Sequence, residues 1–365
     1  MNPVISQITE NNSILNFTLS GVNTSIANSL RRISSEVKSV VFITTPHEKN
    51  NATFLKNTSR MNNEILKQRL SCIPIMTDTD FPIDEYILVV NKQNQSNTIE
   101  YVTTNDFKVV NIETLQEDKE LTRKLFPENK ITGDYIELVR LLPRISENIE
   151  GEQLSLKCKF AIASSKQDSA FNIVSTFAYG NTLDKTRIQS ALTEKKTEFS
   201  KLYSSKEEID FALRDWQLLE AKRLFVPDSF DYTVETIGQY TNMNVVFQCC
   251  ELMIAKLKKL QDTIQSEQNV INASNTTIPN SFDIFLKNED YTLGKVVEYV
   301  LYTSHYNKTL NYCGFQKPHP HIDESLIRIG FKNPTEKITV ISYIVNAAND
   351  AIGIYEKISK SFDII

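Results

Sequence analysis

Alternating apolar and polar side chains in "ILNFTLSG", residues 14–21, predict a half-buried strand. The following "SIANSLRRISSEV" places Ile26, Leu30, Ile33 and Val37 three or four apart, one apolar stripe on a helix, with Thr24 or Ser25 placed to cap its free N–H groups. "NNEILKQRLSCIPI" predicts a short helix with Ile65, Leu66 and Leu70 on one side, stopped before Pro74. From residue 76 to about 180 the character changes. "EYILVVN", "DYIELVRLLP", "QLSLKCKFAIA" and "FNIVSTFAYG" are short β-rich runs between polar turns, the pattern of a mainly β module. Residues 183–222 turn charged and helical, and "SFDYTVETIG" returns to strand alternation. A long helix follows, with Val246, Cys250, Met253, Leu257, Leu260 and Ile264 on one stripe. The adjacent Cys249 and Cys250 should point in different directions and serve packing rather than redox chemistry.

"QSEQNVINASNTTIPN", residues 265–280, is rich in Asn, Ser and Thr and reads as a linker. Beyond it the pattern is compact again: strand "SFDIFLKN", helix "YTLGKVVEYVLYTS", strands "LNYCGFQKP" and "SLIRIGF", and a closing helix. That helix should start with Asn333 as cap, Pro334 in the first turn and Glu336 reaching back. Its expected stripe is Ile341, Val345, Ala348, Ile352 and Tyr355.

The two ends of the chain repeat one plan. Aligning Leu19 with Leu286, a shift of 267 residues (286 minus 19), sets Asn23 against Asp290, Ser25 against Thr292, Ile26 against Leu293, Ala27 against Gly294, Leu30 against Val297 and Ile33 against Val300. Strand, cap and helix recur without a gap, which implies two similar units able to pack about a pseudo-twofold axis.

Composition narrows the function. The 365 residues, 41% hydrophobic and 23% charged with a net charge of −5, describe a globular chain of two or three domains rather than a phosphate-neutralising surface. Five scattered cysteines without Cys-x-x-Cys spacing argue against a zinc site or a disulfide scaffold. No basic-then-apolar leader and no run of about 18 apolar residues occurs, so the expected setting is cytosolic or nuclear and away from membranes. The nine glycines are too dispersed for a phosphate-cradling loop. "TDTDF", with Asp78 and Asp80, and "KPHPHID", with His319 and His321, are tempting metal-ligand spacings. Such short matches arise by chance, and a polar turn and a proline-stiffened hairpin end are the preferred readings over a metal-dependent hydrolase. No nucleophile, base and orienting group can be nominated from spacing.

"LNFTLSGVNTSIANSLRRISSEV" with "NNEILKQRLSCIPI" resembles the first signature of the α-like subunits of multisubunit DNA-dependent RNA polymerases: the archaeal D subunit, the eukaryotic third subunit and the bacterial α amino-terminal domain. "FLKNEDYTLGKVVEYVLY" with "CGFQKPHPHIDESLIRI" resembles the smaller partner, archaeal subunit L or the eukaryotic eleventh subunit. Both lie here on one chain, an arrangement similar to that of large DNA viruses with their own transcription machinery. The resemblance implies an α+β fold: two α-like dimerisation units, each an antiparallel sheet with helices, pairing within one chain, plus a mainly β insert. The implied domains are 1–75 with 229–264 for the larger-subunit-like unit, 76–228 for the insert, 265–280 for the linker and 281–365 for the smaller-subunit-like unit.

In that family the pair is a non-catalytic platform for the two large catalytic subunits, with small subunits attached, so the resemblance implies no enzyme activity in the chain alone, no cofactor and no base-specific contact with nucleic acid. Asn28, Leu30, Arg31, Arg32, Glu64, Arg69, Leu70, Ile73 and Pro74 would lie on the side that receives a large subunit. Ile26, Ile33, Leu286, Thr292, Leu293, Gly294, Val297, Val300, His319, Ile341, Val345 and Ala348 would form the pairing interface. Many larger subunits carry a cysteine cluster in the insert; only Cys158 stands here, so no metal is expected. The implied setting is a viral factory or virion for a viral chain and the nucleus otherwise. An adaptor that uses the same fold is the alternative. A 16-residue flexible linker (280 − 265 + 1) spans roughly 20 to 24 Å, which would hold each half at a millimolar-scale concentration of the other.

Overall fold

In the computed structural model the described residues are 1–144, 146, 150–267 and 270–363. Positions 145 and 147–149 of the expected insert, 268 and 269 of the expected linker, and the last two residues of the chain lie outside them. The chain forms two compact units, one of residues 1–34, 176–235 and 246–365, the other of residues 35–175 and 236–245.

The first unit opens with strands β1 (Val4–Asn11) and β2 (Ile14–Ser20), joined by Asn12 and Ser13 at positive φ, the conformation that a two-residue hairpin turn demands. Chain reversal after β2 uses Gly21 at φ +74, where a Cβ would stand 2.3 Å from the Asn2 carbonyl oxygen. Helix α1 (Thr24–Ile33) then starts on Asn23, whose Oδ1 accepts from the Ser25 N–H at 2.9 Å. Asn23, not Thr24 or Ser25, is the cap; its extended backbone suits that position.

The second unit takes up the chain at Ser35, earlier than residue 76. Its next elements are β3 (Lys38–Val41), β4 (Ala52–Asn57) and α2 (Asn63–Ser71), then β5 (Tyr86–Gln93), β6 (Glu100–Thr103) and β7 (Phe107–Asn111). Helix α3 (Lys119–Leu125) and strands β8 (Glu137–Leu141), β9 (Gln153–Lys159) and β10 (Ala161–Ser164) complete it. The sheet order is β4-β9-β5-β7, with smaller pairs β6-β8 and β10-β3. Residues 35–75 belong here because β3 pairs with β10 and β4 with β9, and because Val40, Phe42, Leu66, Leu70, Ile73 and Ile75 share a core with Leu88, Val90, Leu154 and Leu156. On α2, Ile65 is exposed while Leu66 and Leu70 are buried.

β11 (Val174–Leu183) carries the chain back to the first unit, where the sheet runs β1-β2-β12-β11. Between β11 and β12 (Phe225–Thr236) stands a helical hairpin of α4 (Lys185–Leu202) and α5 (Lys206–Leu218), so residues 183–222 belong to the first unit. Helix α6 (Asn242–Ser266) buries its whole expected stripe. Cys249 is buried as fully as Cys250, because a long helix enclosed on more than one side covers both directions.

The expected linker is partly structure. Val270 and Ile271 are buried, and β13 (Ile271–Ala273) pairs with β14 (Ser281–Lys287), setting Ile271 opposite Ile284. An apolar couple inside a polar run was enough to add a strand, and the joint between α6 and β13 shrinks to a few residues, well short of a 16-residue tether.

Helix α7 (Tyr291–His305), strands β15 (Leu310–Gln316) and β16 (Glu324–Phe331) and helix α8 (Lys337–Asp363) finish the unit, with sheet order β13-β14-β16-β15. α8 begins after Glu336, whose carbonyl accepts from the Thr339 and Val340 N–H groups, later than the expected cap at Asn333. Its most enclosed residues are Val340, Ile344, Ala348, Ala351, Tyr355 and Ile358, whereas Ile341 and Val345 are only half-buried. Neighbouring apolar residues at 340–341 and 344–345 make both faces plausible on spacing alone, and packing selects the first of each pair.

Candidate pairing and docking surfaces

Within the first unit α1 packs on α7, α7 on α8, and α8 on β1. The stripe of α1 is fully enclosed, with Ile26, Leu30 and Ile33 each at 0% exposure. On α7 the buried face is Thr292, Leu293, Gly294, Val296, Val297, Val300 and Leu301. Leu286 on β14 is also buried. A Cβ on Gly294 would come within 2.0 Å of the Phe315 ring, so the missing side chain lets β15 close on the helix.

Polar contacts fix how these helices meet. Ser29 of α1 donates to the Ile26 carbonyl at 2.6 Å, which leaves its oxygen to accept from the Tyr355 hydroxyl of α8 at 2.5 Å. Burial pushes the Tyr355 phenol far above its ordinary value, so it stays a neutral donor. On the other side of α1 the Tyr232 hydroxyl donates to the Ala27 carbonyl at 2.7 Å. Phe17 of β2 stacks on Tyr232 at 4.8 Å and meets Phe362 of α8 edge-on at 5.1 Å. From α6, Gln261 donates to the Val345 carbonyl at 3.0 Å and to Asn349 Oδ1 at 2.8 Å.

Arg32 lies across the same seam. Its Nη2 donates to Asp290 Oδ2 at 2.7 Å and its Nε to Thr292 Oγ1 at 2.9 Å. Asp290 is the cap of α7, accepting from the Thr292 N–H at 2.8 Å. Partial burial alone would raise the Asp290 carboxyl; the Thr292 hydrogen bonds and the Arg32 guanidinium outweigh it and hold the group below its ordinary value. A carboxyl depressed by folding stabilises the fold above its unfolded pKa, and the contribution disappears as pH falls through the folded one. Asp290→Asn should therefore lower stability by about 0.5–1 kcal/mol at neutral pH, a figure discounted for a side chain one-third exposed. In urea titrations across pH the gap between wild type and variant should hold above about pH 5, begin to narrow near about pH 4 and shrink further as pH falls through the depressed folded pKa.

The residues expected to receive a large subunit divide by environment, and α1 and α2 lie in different units. On α1, Leu30 is core and Arg32 is engaged with α7, while Arg31 is exposed and donates to the half-buried Asn28 at 3.0 Å. On α2, Glu64 is exposed and Arg69 donates to the Glu137 carbonyl at 2.8 Å. Leu70 and Ile73 are core, and Pro74 is half-buried. His319 is not in the seam: it sits exposed on the β15–β16 connection, where its Nδ1 accepts from the His321 N–H.

The remaining chemistry is structural in form. Asp78 accepts from the Asp80 N–H at 3.1 Å, a turn closing on itself. Burial pushes the Cys158 and Cys313 thiols up to about 12, and those of Cys249 and Cys250 well above the ordinary value, so none of the four is a thiolate near neutral pH. Among the described residues no group of three or more His, Cys, Asp or Glu is placed to hold a metal, and no helix is long and apolar enough to cross a membrane.

The paired helices from the two ends of the chain are matched by known families. Residues 16–257, more than half of the chain, match the family described as RNA polymerase Rpb3/Rpb11 dimerisation domain. The chain belongs to that family. Residues 281–361 match a second family of the same description. A search of curated proteins finds no match. Bearing two Rpb3/Rpb11 dimerisation domains on an α+β fold, the chain is an α-like, assembly-type subunit of RNA polymerase, a class that is typically non-catalytic.

Among the seam residues described above, spacing alone missed Ser29, Tyr232, Gln261 and Asp290, the pairing role of Arg32 and the polar role of Tyr355. A polar residue inside an apolar helix stripe, as Ser29 is between Ile26 and Leu30, was the available signal.

Proposed function

We propose that the chain pairs its own two dimerisation domains and presents the pair as the platform on which the two large catalytic subunits of RNA polymerase assemble. The observation that carries this reading is the packing of α1 on α7 in one compact unit, with each stripe buried against its counterpart in the repeat. The docking residues are Asn28 and Arg31 on α1 and Glu64, Arg69 and Pro74 around α2, each unit contributing its own exposed or half-buried side chains. Leu30, Leu70 and Ile73 support those positions from the core. Small polymerase subunits attach to the same assembly. We place the one-chain form in the transcription machinery of a large DNA virus, acting in a cytoplasmic factory or virion; in a cellular source it acts in the nucleus.

Affinity purification of the tagged chain from its native source, followed by mass spectrometry, tests the reading. Two different polypeptides, each far larger than this 41.8 kDa chain, should be recovered in equal amount. Arg31→Glu combined with Glu64→Arg should reduce that recovery at least tenfold with unchanged melting, since exposed charges affect docking rather than the fold. Recovery of the chain without large partners would remove the platform role and favour an adaptor.

A further inference from the structure

The turn from β14 into α7 carries two adjacent acids, and each is held by a cation from the amino-terminal half of the chain. Lys256 of α6 donates to both carboxylate oxygens of Glu289, at 2.9 and 3.0 Å, with both side chains largely buried at 14% and 16% exposure. Arg32 of α1 binds Asp290 at 2.7 Å. The acidic turn is oriented from within its own half: Ser325 donates to the Glu289 carbonyl at 2.8 Å, and the Thr292 N–H holds the Asp290 carboxylate.

The repeat has no reciprocal of this arrangement. The 267-residue shift aligns Arg32 with Tyr299, Asp290 with Asn23 and Glu289 with Val22, none of which on the opposite side carries a matching charge. The C-terminal end of α1 meets the N-terminal end of α7 through ions, whereas the twofold-related meeting has no charged residue at the aligned positions. Cations stand on one half and acids on the other.

We propose that this one-sided pair of ion pairs makes the amino-terminal half select the carboxy-terminal half and reject a copy of itself. Two amino-terminal halves would set Arg32 against Asn23 and Val22, with no acid to receive it. Two carboxy-terminal halves would set Glu289 and Asp290 against Tyr299, leaving carboxylates desolvated without cations, the costly outcome of breaking a buried pair. Apolar stripes that resemble each other attract in every combination, so the discrimination comes from the charges. The inference rests on the pairing proposed above. A failed charge exchange alongside intact recovery of the large subunits would discard the selection and leave the platform.

The full chain carries the test. Lys256→Glu alone and Glu289→Lys alone each bring like charges together, and each should lower the urea midpoint; the double variant should recover most of the loss. Co-expression of the two single variants under different affinity tags should give a chain-exchanged dimer, because each half then finds its opposite charge only on the other chain. Co-capture should exceed that of two differently tagged wild-type chains at least tenfold, the ratio that about 1.4 kcal/mol gives. A double variant no more stable than the singles, or co-capture at the wild-type level, would overturn the proposal.

Discussion

Leu293→Asp should separate the helices of the first unit or unfold it, with a stability loss of more than about 4 kcal/mol. Leu293 is 1% exposed on the face of α7 that packs with α1, where a carboxylate would lose most of its hydration against apolar neighbours, and Lys256 is already held by Glu289. Arg32 is already committed to Asp290 and Thr292 at the turn below. Leu293→Met, which conserves volume, should cost less than about 1.5 kcal/mol, so the pair of variants separates loss of packing from burial of charge. Urea unfolding followed by circular dichroism reads both. A Leu293→Asp midpoint equal to wild type would mean that the α7 face is not a stability-determining contact.

Tyr355→Ala should cost about 3–5 kcal/mol, the range for emptying a large aromatic site in a core. Tyr355 is fully buried on α8, and its hydroxyl is the donor that satisfies Ser29 on α1. Tyr355→Phe removes only the hydroxyl and should cost about 1 kcal/mol, since Ser29 keeps the Ile26 carbonyl as its own acceptor. Ser29→Ala in the wild-type background leaves the Tyr355 hydroxyl buried without a partner and should cost about 1–3 kcal/mol. Adding Tyr355→Phe to Ser29→Ala should then cost less than the two changes summed, because both delete one interaction. Strict additivity of the cycle, read from urea midpoints, would place the two side chains out of energetic contact.

Both effects concern residues whose burial was readable from local spacing. Ile26, Leu30 and Ile33 on α1, and Leu293, Val297 and Val300 on α7, recur with helical periodicity beside a polar cap, and nothing nearby competes for the buried face. The α6 stripe was legible for the same reason. On α8 two apolar residues stand side by side at 340–341 and again at 344–345, so periodicity offered two faces and the tertiary packing chose between them. Domain limits were less legible, because strand partners are long-range: residues 35–75 look continuous with α1 in sequence, yet β3 and β4 find β10 and β9 about a hundred residues or more later. The stretch 265–280 misled through its Asn and Ser content, which concealed Val270 and Ile271. Arg32 shows a similar limit at the level of one side chain. Its charge marked it for the side that receives a large subunit, and only the meeting of α1 with α7 reveals that it is engaged by an acid of the same chain.

Under the platform role proposed above, that internal pairing sets how many copies of the chain a polymerase holds. Two dimerisation domains on one chain satisfy each other, so a second copy has no vacant partner to join. Native mass spectrometry of the intact polymerase, purified through one of its large subunits, measures this directly. One copy of the chain beside one copy of each large subunit is the expected result; a complex holding two copies would contradict internal pairing.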